Sequence, residues 1–74
     1  MSLGLFSGHY GRIAITDTLA YYHERGRRPG SLEALQRTAE NMFGMSTAEP
    51  EEFRHLLGEV LEMRPEYISI VSKL

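Results

Sequence analysis

The sequence predicts an all-α domain, a small three- or four-helix bundle, and three observations carry that expectation. Apolar residues recur at helical spacing along most of the chain. The clearest of these stripes are bracketed by helix start and stop signals. A length of 74 residues leaves room for one core and no second one. The alternative is an α+β domain, in which short N- and C-terminal segments pair as a two-stranded ribbon under the helices.

Residues 1–10, with Gly4 and Gly8, read as a flexible arm ahead of a single helical domain over 11–74. The first six residues are apolar but carry no basic leader and no cleavage pattern, so they do not read as a signal peptide. Ile15, Leu19 and Tyr22 then mark a helical face that stops at Gly26. Its start is ambiguous. Arg12, Ile13, Ala14 and Ile15 alternate like a strand, and Asp17 could cap a helix that begins only after it.

The next helix is better framed. Ser31 is a favourable N-cap behind the Pro29-Gly30 turn, and Leu32, Leu35, Ala39, Met42 and Phe43 form its apolar stripe. Gly44 can stop it in the left-handed conformation that a side chain disfavours. Ser46 and Glu49 stand at capping-box spacing ahead of a third helix, with Pro50 tolerated in its first turn. Phe53, Leu56, Leu57, Val60 and Leu61 make its buried stripe, and Glu52, His55, Glu59 and Glu62 its polar side. Pro65 disfavours helical geometry at Arg64 and ends it. The short link between these two helices predicts that they pack on each other.

Tyr67, Ile70, Val71 and Leu74 make a last helical stripe, although 67–71 is also β-prone. Pairing of 13–15 with 68–71 would give the α+β alternative. Helix is favoured at both places because an isolated two-stranded ribbon is weak. The expected core runs from Ile15, Leu19 and Tyr22 through both central stripes to Tyr67, Ile70, Val71 and Leu74.

Composition narrows the function classes. Cysteine is absent, which removes disulfides and thiolate metal sites together. A chain this short buries only about 60% of the surface its unfolded form exposes, so a partner chain is an expected source of added burial. No apolar run approaches the roughly 20 residues that cross a bilayer, and the chain is expected in the cytoplasm without membrane contact. The net charge of −2 is unevenly spread. Up to Thr38, five arginines face Asp17, Glu24 and Glu33, whereas Arg54, Arg64 and Lys73 later face seven glutamates. Such an asymmetry suits self-association and opposes a broad polyanion-binding surface.

Residues 39–46 resemble the turn of the helix-turn-helix family, with Gly44 one residue late for that pattern. The resemblance implies a second helix entering the major groove of DNA. Glu49, Glu51 and Glu52 would then meet the phosphates, where such proteins place Lys and Arg. An ordinary capped helical hairpin accounts for the segment better.

The most distinctive polar segment is residues 25–31, in which Arg25, Arg27, Arg28 and Ser31 enter a helix start. Guanidiniums beside free backbone N–H groups can hold a phosphate, a carboxylate or an acidic partner. The glycine spacing is neither a Walker A loop nor a dinucleotide fingerprint. His9, His23 and His55 form no ligand pair, and the lone Glu52–His55 step is half of what a di-iron bundle repeats. No nucleophile, base and orienting group share a catalytic spacing, so no enzyme activity, cofactor or metal is expected.

What remains is a protein–protein interaction or assembly module, an oligomer (a homodimer first) or an accessory subunit. Its expected interface residues are Tyr10 and Tyr21, which lie off the core stripe, with Leu61, Val71 and Leu74, the edge of the expected core that could face another subunit. The alternative is a small nucleic-acid-associated regulator using the basic 25–28 loop and Arg12.

Overall fold

In the computed structural model, which describes residues 8–46 and 48–74, the chain is an all-α bundle with no strand among those residues. Its elements are α1 (Gly8–Arg25), α2 (Leu32–Met42), α3 (Pro50–Met63), a 3-10 turn (Pro65–Tyr67) and the short α4 (Ile68–Val71). Both segments that could have paired as strands are helical. Residues 12–15 lie inside α1, and 68–71 form α4. The helix also starts earlier than expected. Gly8 to Tyr10 belong to α1 rather than to an arm, Asp17 sits within the helix rather than at its cap, and residues 1–7 lie outside the described residues.

The long first helix is the centre of the fold. Gly11, Ala14, Ile15, Thr18 and Leu19 are buried along it, at the spacing of one helical stripe. Thr18 is fully buried, yet its hydroxyl is satisfied by donating to the Ala14 carbonyl at 2.7 Å. The principal helix–helix packing is that of α1 with α3 and with α2, and α1 also meets the 3-10 turn and α4. The two central helices therefore pack chiefly on α1, and less on each other than their short link suggests.

Each helix end has a local cause. At the end of α1, Gly26 adopts φ 62°. Its N–H reaches the His23 carbonyl at 3.2 Å, while Arg27 N–H reaches that of Tyr22 at 3.0 Å. That pair of bonds is a Schellman motif, which satisfies carbonyls the helix leaves open. Ser31 caps α2 as expected, its Oγ accepting from Ala34 N–H at 3.1 Å. At the other end Gly44 has φ 74°. The Ala39 carbonyl accepts from both Phe43 and Met45 N–H, at 3.2 and 3.0 Å.

The start of α3 and the edge of the core depart from the sequence expectation. Ser46 is exposed and lies upstream of the helix, so the cap is Glu49, whose N–H donates to Glu52 Oε1 at 3.2 Å. Met42, expected in the core, is 55% exposed. Reversal at Gly44 buries Met45 instead, at 4% exposure. Leu74 is also exposed, at 44%, rather than closing the core. The remaining core is as read: Ile15, Leu19, Leu35, Ala39, Phe53, Leu56, Leu57, Val60, Tyr67 and Ile70 are buried, with Tyr22, Leu32, Phe43, Leu61 and Val71 packed against them.

Long-range polar contacts then fix the bundle. Arg12 Nη1 donates to Glu59 Oε1 at 2.7 Å, tying α1 to α3. The hydroxyls of Tyr22 and Thr38 lie 3.0 Å apart, joining α1 to α2. Gln36 donates to the Ala48 carbonyl at 2.9 Å and holds the α2–α3 connection. The radius of gyration, 11.5 Å, matches the value of about 11 Å expected for a compact chain of this length.

Candidate functional site

Three separate stretches of sequence converge on one open cleft of about 460 Å³. The start of α2 contributes Gly30, Ser31, Leu32, Glu33 and Gln36. The start of α3 contributes Pro50, Phe53 and Arg54, and the last two residues, Lys73 and Leu74, complete it. Phe53 is buried and Leu32 half-buried, so the floor is apolar and anchored in the core. Leu74 adds exposed aliphatic surface to the same wall.

The rim is cationic on the α3 and C-terminal side. Arg54 and Lys73 are exposed, and neither forms an ion pair among the described residues. The same holds for Arg27 and Arg28, on the exposed loop that leads into Gly30. Glu33 is the one acidic side chain in the lining. Gln36, beside it, is spent on intrachain bonds, donating to Glu40 Oε2 at 3.1 Å and to the Ala48 carbonyl. An apolar floor below exposed cations can take an aliphatic or aromatic side chain while pairing with carboxylates next to it.

The sequence-predicted residues divide between this cleft and other places. Ser31 lines it, although its hydroxyl oxygen already caps α2. Arg25 is drawn away. Its guanidinium lies 4.0 Å from the centroid of the Tyr21 ring, a cation–π contact. Tyr21 is itself half-buried, edge-on to Tyr22 at 5.6 Å and to Phe43 at 5.8 Å, so it serves the α1–α2 contact rather than standing free. Leu61 and Val71 are half-buried against the monomer's own core. Tyr10 is exposed on α1. Leu74 therefore joins Ser31 in one place that sequence could not connect.

Arg54 and Lys73 were not singled out from sequence. Nothing local marks them, because their relevance comes only from the folding of both toward the start of α2. Elsewhere His55 Nε2 approaches Glu59 Oε2 at 3.1 Å on the exposed side of α3, and the His23 ring stands edge-on to Tyr67 at 5.5 Å. Among the described residues no three His, Asp or Glu side chains gather as a metal-binding group, and no helix is long and apolar enough to cross a membrane. No protein-family model, curated protein or solved structure matches the chain.

Proposed function

We propose that this domain is a protein–protein interaction module that docks an acidic segment of a partner, with an apolar anchor, in the α2–α3–C-terminal cleft. The observation that carries the reading is the cleft's combination of a core-anchored apolar floor with the unpaired cations Arg54 and Lys73, beside Arg27 and Arg28. Charge complementarity selects the partner, and the floor supplies desolvation at the centre of the contact. A nucleic-acid backbone fits less well. Its phosphates bring no apolar group to cover the floor lined by Leu32, Phe53 and Leu74, whereas an acidic segment with an apolar anchor does.

Fluorescence anisotropy with two labelled peptides of equal length tests the reading. Both carry the same Leu and Phe anchors, one among Asp and Glu, the other among Lys and Arg. The acidic peptide should bind, and reversing both rim charges (R54E with K73E) should weaken it about two- to thirtyfold, the loss of two exposed ion pairs. Equal binding of the basic peptide, or indifference to the reversal, overturns the proposal. Salt-sensitive binding of duplex DNA without peptide binding would favour the nucleic-acid alternative instead.

A further inference from the structure

A second groove, of about 380 Å³, lies between α1 and the C-terminal end of α3. Ile13, Val60 and Met63 make it apolar, and Arg12, Thr16, Asp17 and Arg64 frame it. Ile13 is 45% exposed and Met63 73% exposed, so two large aliphatic side chains of the groove lining stand partly in water. On α1 the exposed face continues to Tyr10, one turn before Ile13. Ile13 lies off the buried stripe of α1 and is not among the residues packed against the core.

The polar frame shows what could cover this groove. Arg12 is neutralised by Glu59 at 2.7 Å, and the Thr16 hydroxyl donates to the Arg12 carbonyl at 2.8 Å. Two charges remain available. Asp17, on the α1 wall, is exposed and forms no ion pair among the described residues. Arg64, on the α3 wall, is exposed and has only a long contact to Glu66 at 3.6 Å. A groove with an acid on one wall, a base on the other and aliphatic groups between is complementary to itself under a two-fold rotation.

We infer that the α1–α3 groove is a homodimer surface, in which Ile13 and Met63 of two copies meet about a two-fold axis and each Asp17 faces the Arg64 of the other copy. This deepens the proposed interaction role but rests on a face remote from the cleft, at the other end of α3. A standard interface takes about 800 Å² from each partner, roughly a sixth of the 4932 Å² surface of this monomer. A dimer held by this groove of about 380 Å³ and two charge pairs belongs to the weak, reversible class.

Sedimentation equilibrium of the full chain, extended to about millimolar concentration where weak complexes form, is the test. The mass should rise from 8.4 kDa toward twice that value. Ile13→Glu should keep it at the monomer value, with an unchanged far-ultraviolet circular dichroism spectrum because the residue is exposed. Asp17→Arg and Arg64→Glu should each weaken association about two- to thirtyfold, and the double exchange should restore it, since two symmetric exposed pairs are lost and regained. Monomer at every concentration overturns the inference. So does a dimer indifferent to Ile13→Glu, or single charge changes that the double exchange does not rescue. Because these positions lie outside the cleft, failure here leaves acidic-peptide binding intact, and failure of peptide binding leaves the dimer intact.

Discussion

Two methionines flank the end of α2, and truncating each to alanine separates the fold described here from the one the sequence suggests. Met42 continues the apolar stripe of Leu32, Leu35 and Ala39, yet it is 55% exposed, while Met45 beyond the Gly44 turn is 4% exposed. A buried methionine replaced by alanine costs about 2–5 kcal/mol, from lost transfer energy and the cavity left behind. Met45 sits on a connecting segment that can partly collapse, which argues for the lower end of that range. An exposed position such as Met42 changes stability by about 0.5 kcal/mol at most. Alanine is also the better helix former, so even that small change leans toward neutrality.

Against a total stability of about 4–11 kcal/mol for a chain of this size, the Met45 change is a large fraction. Urea unfolding followed by circular dichroism reads the difference directly. With a slope near 1 kcal/mol/M for so small a domain, Met45→Ala should lower the midpoint by about 2 M. Met42→Ala should leave it within about 0.5 M. Equal shifts for the two variants, or a larger one for Met42→Ala, would refute the burial pattern at the end of α2 and the left-handed turn that creates it.

Other perturbations address the helix start at the cleft and the α1–α3 tie. Ser31→Ala removes the oxygen that accepts from Ala34 N–H, and should cost about 1 kcal/mol, a fall of about 4–8 °C in Tm, whereas Ser31→Asp should hold Tm near the parent value. If Ser31→Ala left Tm unchanged, the capping role would be wrong. A double-mutant cycle on Arg12→Ala and Glu59→Gln should give a coupling of about 0.2–1 kcal/mol, because the pair is well oriented at 2.7 Å but both side chains are about 40% exposed. That coupling should shrink in molar salt. Persistence at full size would point to a buried contact instead.

How much of this was legible varies with how locally it is encoded. Ser31 and Gly44 bound α2, and the regular spacing of Phe53, Leu56, Leu57 and Val60 defines α3, so both helices are readable from neighbouring residues. The first helix was ambiguous for a physical reason. Its buried stripe is Gly11, Ala14, Ile15, Thr18 and Leu19, two of them small and one polar, while the apolar Ile13 lies off it at 45% exposure and breaks the helical pattern. The burial of Met45 does have a local signal, because the residue after a left-handed helix stop often packs back on the helix. The Arg12–Glu59 pair spans 47 positions, and the meeting of Ser31, Arg54 and Leu74 spans three elements. Neither leaves a trace in local sequence, because both depend on how the helices settle around α1.

The central claim, that the α2–α3–C-terminal cleft receives an acidic partner segment, is tested most directly by ¹⁵N-resolved chemical-shift mapping with the acidic Leu- and Phe-bearing peptide. The shifts should concentrate on Ser31, Leu32, Phe53, Arg54, Lys73 and Leu74, and disappear in the R54E/K73E variant. Shifts centred on Ile13, Asp17 and Met63, or none at saturating peptide, would contradict it.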